Sequence, residues 1–111
     1  MTKYQNKPVE FDGFRFDSLA EAGRYQELRL LEQAGEISGL VVHPKYILQE
    51  AMTVNGEKIR AITYSGDFQY FDHNGMQVCE DVKGFRTKEF IIKRKLFIAR
   101  YPAIRFVEVS K

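Results

Sequence analysis

Apolar and polar positions recur along this chain with two periods, and the change from one to the other marks its elements. In "FDSLAEAGRYQELRLLEQAG", Leu19, Leu28, Leu30 and Leu31 form a broad apolar arc at helical spacing, interrupted by Arg24 and Glu27. Ser18 followed three residues later by Glu21 makes a capping box, and Gly35 is placed to end the segment. The pattern predicts a helix over about residues 19 to 34, packed on a sheet. A two-residue period takes over after Pro44. "KYILQEAMTV" and "EKIRAITY" flank Asn55-Gly56, a strong hairpin signal, and the second strand is read as running on through "AITYSGDFQYF". "DHNG" then turns the chain and "MQVCEDVKG" returns it. Beyond Gly84, Thr87 caps "KEFIIKRKLFIARY", a helix of about 13 residues stopped by Pro102, and "IRFVEV" forms a last strand. Helix, three or four strands, helix, strand is an α/β or α+β order, with helices packed on a sheet.

Register gives the second hairpin its chemical interest. Alternation puts Cys79, Asp81 and Lys83 on one face and Val78, Glu80 and Val82 on the other. On the incoming strand Ile62, Tyr64, Phe68 and Tyr70 form the apolar face, with Ser65, Asp67 and Gln69 opposite. Burying both apolar sets together requires even-numbered residues to pair with even-numbered ones. A three-residue loop, His73-Asn74-Gly75, delivers that register if Gly75 is left-handed, and Asp72 then pairs with Met76. By the same count Asp67 falls opposite Asp81 with Cβ atoms about 4.5 to 5.5 Å apart. Lys83 lies about 6.7 Å further along that face. Facing like charges destabilise a strand pair, so the arrangement calls for a solvated setting, a shared proton or a cation. A divalent metal is the productive answer.

Composition adds bounds. The 111 residues, 44% of them hydrophobic, suit one compact domain spanning 1–111. Lys and Arg exceed Asp and Glu by 17 to 15, too small a margin to indicate a nucleic-acid partner by itself. Cys79 is the only cysteine, which excludes an internal disulfide and fits a reducing compartment. There is no apolar run of about 18 residues, so no membrane partner is expected and the expected location is cytoplasmic. No nucleotide cofactor is expected either.

Asp67, Asp81 and Lys83 together suggest metal-assisted phosphodiester hydrolysis. Carboxylates are the hard oxygen ligands that Mg²⁺ or Mn²⁺ takes, and a nearby lysine can orient water or stabilise charge on the transferring phosphate. "SGDFQYF" with "CEDVKGF" resembles the PD-(D/E)XK nuclease superfamily, in which an acid on one strand is followed by acid-x-lysine on the next. Gly66 stands where the superfamily's name has proline, and the motif acid is Asp81 rather than glutamate. Glu80 is a competing acid, but register and the spacing to Lys83 favour Asp81. Over residues of about 4 to 109, "FDSLAEAGRYQELRLL", "AITYSGDFQYF", "EDVKGFRTKEF" and "KRKLF" resemble a small phage- and prophage-encoded family near the Holliday-junction-resolvase-like nucleases.

The resemblance implies a restriction-endonuclease-like core and a divalent-metal-dependent DNA endonuclease. It implies action on branched DNA in phage recombination, replication or packaging, inside a bacterial host. It also makes Glu21 a catalytic and metal-binding residue beside Asp67, Asp81 and Lys83, although a capping-box glutamate needs no metal. A homodimer is expected, since cutting a duplex or junction needs two nicks and a domain this small holds one site. Arg86, Thr87, Lys88, Lys93 and Lys95 are candidate phosphate contacts beside the acids. Tyr4 and Lys7 are candidates to touch DNA or a second subunit, and His43 and His73 receive no role. The alternative reading is a catalytically inactive DNA-binding module on the nuclease fold, followed by a protein–protein adaptor with incidental acids.

Overall fold

The computed structural model describes residues 8–83 and 86–110; Tyr4, Lys7 and Gly84 lie outside the described residues. In chain order the elements are β1 (Val9–Phe11), β2 (Phe14–Phe16), α1 (Leu19–Gln33), β3 (Ile37–Val42), β4 (Lys45–Gln49), β5 (Met52–Val54), β6 (Glu57–Ile59), β7 (Ile62–Ser65), β8 (Phe68–Asp72), β9 (Gln77–Lys83), α2 (Lys88–Arg100) and β10 (Arg105–Ser110). The architecture is mixed α and β, as the alternating periods predict. A four-stranded sheet runs β10-β9-β8-β3, and three two-stranded sheets pair β1 with β2, β4 with β7 and β5 with β6. β9 is antiparallel to β8 and parallel to β10, while β3 is antiparallel to β8.

Both helices begin where the capping signals place them. Ser18 Oγ accepts from the Glu21 amide, and Thr87 Oγ1 accepts from the Phe90 amide, each satisfying a donor that the first helical turn leaves free. Gly35, at φ +82°, follows the end of α1. The buried face of α1 differs from the predicted arc. It is Glu21, Ala22, Tyr25 and Leu28, whereas Leu19 and Leu30 are 75% and 66% exposed. Tyr25 displaces the leucines because its ring sits within a cluster of Phe11, Phe14, Phe16 and Phe68. That cluster depends on the β1–β2 hairpin, whose Asp12-Gly13 turn is the same left-handed pair as Asn55-Gly56 and was equally visible in the sequence.

The long strand expected from "EKIRAITY" through "AITYSGDFQYF" is three strands. β6 pairs with β5 around the Asn55-Gly56 turn, β7 crosses to β4, and the chain breaks at Gly66-Asp67 before β8 joins the main sheet. The expected common face of Ile62, Tyr64, Phe68 and Tyr70 is therefore divided. Phe68 and Tyr70 pack with Val78 under α1, in a core with Phe16, Ala22, Tyr25, Leu28 and Ile37. Tyr64 joins Tyr46, Leu48, Cys79, Phe90 and Phe97 in a second core under α2, and Ile62 is exposed. β9 lies between the two cores and is buried on both faces, with Val78 and Glu80 toward α1 and Cys79 and Asp81 toward α2.

Gly66 makes the break possible. A Cβ there would lie 2.8 Å from Cys79 Sγ, a contact that neither group can yield because Cys79 is fully buried. Gly66→Ala is expected to destabilise the fold by about 1–3 kcal/mol in denaturant melts, the usual cost of overpacking. Cys79→Ala in the same chain removes the clashing sulfur and should recover part of that loss; failure to recover would place the strain elsewhere.

Candidate functional site

The hairpin between β8 and β9 has the expected register. Phe68 pairs with Glu80, Tyr70 with Val78 and Phe71 with Gln77. Asp72 N–H donates to Met76 C=O, and Gly75 is left-handed at φ +83°. The ladder stops at Phe68, however, so Asp67 is not a regular cross-strand partner of Asp81. Its N–H donates to the Glu80 carbonyl at 3.0 Å, and its Oδ2 accepts from the Val82 amide at 2.6 Å. The Asp67 side chain thus takes the place of the next strand carbonyl, which leaves its carboxyl at the seam between the two sheet faces.

Asp81 is 2% exposed and lies on the α2 side. The Tyr64 hydroxyl donates to its Oδ2, and Lys83 Nζ sits 2.9 Å from its Oδ1 as an ion pair. No donor is aimed at Oδ1 well enough to hydrogen-bond it, so charge proximity is all that compensates that buried oxygen. Lys83 Nζ also lies 4.4 Å from the centre of the Phe90 ring, which fixes the ammonium between an acid and an aromatic face. Both groups line an open cleft of about 400 Å³, shared with Thr63, Ser65, Thr87 and Lys93.

Glu21 reaches the seam from α1. Its Oε1 lies 3.4 Å from the Asp17 amide and 3.2 Å from His43 Nε2, so the carboxylate spans from the helix start to the residue that follows β3. Asp67 stands next to it. Burial pushes the Asp67 carboxyl up to about 7, helped by a hydrogen bond shared with Glu21 and opposed by the Val82 amide. Burial also raises the Asp81 carboxyl; the Tyr64 and Lys83 contacts oppose the rise and the nearby Asp67 charge adds to it. Asp67 thus has Glu21 beside it on one side and Asp81 near it on the other, at the end of β9. Among the described residues, no three His, Cys, Asp or Glu side chains converge closely enough to hold a metal ion as they stand.

An acid whose folded pKa lies above its unfolded value favours folding only while it stays protonated. In EDTA, the Asp67 contribution is therefore complete below about pH 4 and is lost as pH rises through about 7. Asp67→Asn, neutral throughout, should show a flatter stability profile between those values than wild type and exceed it most at pH 8. Parallel profiles in urea titrations would refute the raised pKa.

Glu80 is spoken for by other groups. It is 1% exposed, faces α1, and accepts from Arg24 at both oxygens, Nε to Oε1 at 2.8 Å and Nη2 to Oε2 at 2.7 Å, with the Tyr70 hydroxyl also donating to Oε2. This bidentate contact holds the Arg24 guanidinium well above its ordinary pKa. Arg24 interrupts the apolar arc of α1 for that reason, and Asp81 is left as the acid that shares a cleft with Lys83.

The candidate phosphate contacts fall into two groups. Arg86 forms a two-point ion pair with Glu108 on β10, lowering the pKa of that carboxyl, and Lys93 pairs with Glu89 at 3.0 Å along one helix face. Both therefore meet a phosphate only in exchange for an existing partner. Lys88 and Lys95 are exposed, and Thr87 is occupied as the cap of α2 at the cleft rim. Sequence reasoning missed Tyr64 and His43. The alternation that put Tyr64 among the core residues hid its hydroxyl, and His43 is joined to Glu21 only by a contact 22 residues distant in the chain.

Among the described residues no helix is long and apolar enough to cross a membrane. The sequence model of a family described as "Protein of unknown function (DUF1064)" matches residues 1–111. No curated protein matches the chain.

Proposed function

The chain belongs to the DUF1064 family, and we propose that it is a divalent-metal-dependent DNA endonuclease of the PD-(D/E)XK kind, cutting branched DNA as a homodimer. The observation that carries this reading is the pairing of Asp81 with Lys83 in one open cleft, beside the linked carboxyls of Asp67 and Glu21. The element order supports it. A helix (α1), three antiparallel strands (β3, β8, β9), a helix (α2) and a strand parallel to β9 (β10) are in keeping with the order that the resemblance implies.

The donor types suit a hard cation, although among the described residues no three of the acids converge on one point as they stand. Asp81 Oδ1 is a buried oxygen met by the Lys83 ammonium at 2.9 Å, and burial raises the carboxyls of both Asp67 and Asp81, a cost that a bound cation would offset. Asp67, Asp81 and Glu21 would hold Mg²⁺ or Mn²⁺ through oxygen. When bound, such a cation supplies the charge that offsets the phosphorane-like transition state and favours ionisation of the attacking water. The chain's own contribution is positional. Tyr64 holds the Asp81 carboxylate by one oxygen, and Lys83 brings a fixed positive charge to the cleft wall, where it can orient water or neutralise a non-bridging phosphate oxygen. Thr63, Ser65 and Thr87 offer hydroxyls to the flanking backbone of the strand being cut.

The test is cleavage of four-way junctions, flaps, duplex and single strands by pure protein with Mg²⁺ or Mn²⁺, with an EDTA control and Asp67→Ala beside wild type. Metal-dependent nicking of a branched substrate that Asp67→Ala loses is the expected result. DNA binding that EDTA leaves unchanged, with every substrate intact, would support the DNA-binding module instead.

A further inference from the structure

His43 bridges both acids on the α1 side of the site. Its backbone N–H donates to the Asp67 carbonyl at 2.9 Å, and its ring Nε2 lies 3.2 Å from Glu21 Oε1. The backbone that allows this is costly. His43 has φ +56°, a left-handed conformation for a residue with a side chain, and it immediately precedes Pro44, a neighbour that favours extended backbone. Such a conformation persists where the surroundings over-determine it, and it concentrates at functional sites. Three contacts hold it here: the Asp67 carbonyl, the Gly66 amide donating to the Pro44 carbonyl at 2.9 Å, and the Phe16 ring 5.8 Å from the imidazole.

Glu21 shows what the ring does. In a reciprocal capping box its carboxylate would return to the N–H of the capping residue, Ser18. Ser18 does cap the helix, but the Glu21 carboxylate passes Ser18 by, lying 3.4 Å from the Asp17 amide and 3.2 Å from Nε2 of the 40% exposed His43 imidazole, and it is almost fully buried. Among the described residues no lysine or arginine forms an ion pair with it.

Resting on the metal-site reading above, we propose that His43 is a positioning residue, fixing the Glu21 carboxylate between the helix start and Asp67 so that both acids are presented to one cation. Metal-bound or metal-facing groups depend in this way on the partners that orient them, and losing such a partner typically weakens metal affinity by about 10- to 100-fold.

The experiment uses the full chain, with Mn²⁺ as probe, in titration calorimetry at pH 7.5. His43→Gly removes the ring and suits a left-handed backbone, so the fold is retained or gains stability; His43→Gln restores a donor on a flexible stem. Expected are Mn²⁺ affinity lowered about tenfold in His43→Gly and recovered to within about threefold in His43→Gln, with both variants melting no lower than His43→Ala. Equal Mn²⁺ affinity in wild type and His43→Gly, while Glu21→Ala loses affinity, overturns the positioning role and leaves the metal site standing. Wild type that takes up no Mn²⁺ overturns both. A long-range ¹⁵N spectrum provides a readout independent of metal. The His43 Nε2 signal should move in Glu21→Gln, and an unmoved signal would show that the ring and the acid are not in contact.

Discussion

Asp81→Asn is expected to slow metal-dependent cleavage by about a thousand-fold while leaving the protein folded, the scale on which removal of one preorganised electrostatic group acts. The substitution is nearly isosteric. Its amide oxygen can still accept from Tyr64, so the second core around Tyr64, Tyr46 and Phe97 keeps its packing. What it removes is the negative charge that would face a cation and that now faces Lys83 Nζ at 2.9 Å. Stability should move the other way from activity. Burial raises the Asp81 carboxyl, so the folded protein at pH 8 pays to keep this group ionised. In EDTA the Asn variant should melt at or above the wild-type temperature. A variant that loses cleavage because it unfolds would have the opposite signature, and circular dichroism melts separate the two.

Glu80→Ala, one residue earlier, is expected to do the reverse. Truncating one side of a buried ion pair costs about 3–5 kcal/mol because the remaining charge is left uncompensated. Here the remaining partners are the Arg24 guanidinium, which made two hydrogen bonds to Glu80, and the Tyr70 hydroxyl. Arg24 keeps its contact with Glu27 at the surface, so the lower end of that range is expected, about 3 kcal/mol in urea melts. Cleavage per folded molecule should fall far less than in Asp81→Asn. Glu80→Ala combined with Arg24→Leu removes both charges and should recover stability relative to Glu80→Ala alone, because a matched pair of apolar groups leaves nothing unpaired. Were the single variants to show the same loss of cleavage and the same loss of stability, the division of β9 into a structural acid and a chemical acid would be wrong.

That division was legible in the sequence because it follows from parity. Alternation along "VCEDVKGF" separates Glu80 from Asp81, and the three-residue turn ending at Gly75 sets the pairing of even with even that β8 and β9 show. Both helices and their caps, the Asn55-Gly56 turn and β10 were legible for similarly local reasons. The position of Asp67 was not. A period of two assumes an unbroken strand, and the chain breaks at Gly66-Asp67, where Cys79 Sγ occupies the space a side chain at 66 would need, a contact between residues 13 positions apart. Through that break Tyr64 turns to the α2 side as a partner of Asp81, and Asp67 turns its carboxyl onto the Val82 amide. The Arg24–Glu80 pair and the Glu21–His43 contact, 56 and 22 residues apart in the chain, lay beyond any local pattern. A charged residue inside an apolar helical face was the single hint of the first of them.

The site therefore has two sides joined at Asp67. On the α2 side Asp81, Lys83 and Tyr64 line the open cleft, and on the α1 side Glu21 and His43 meet the same seam. A nuclease reading uses both sides at once, as ligands for a cation and as a wall for the phosphate. The direct measurement is the rate of nicking of a four-way junction and of linear duplex by wild type and by Asp81→Asn, each with Mn²⁺ and with EDTA. The account predicts nicking by wild type with Mn²⁺ alone, abolished by EDTA and reduced about a thousand-fold by Asp81→Asn. Wild type that leaves both substrates intact with Mn²⁺, or Asp81→Asn that cuts at the wild-type rate, would contradict it.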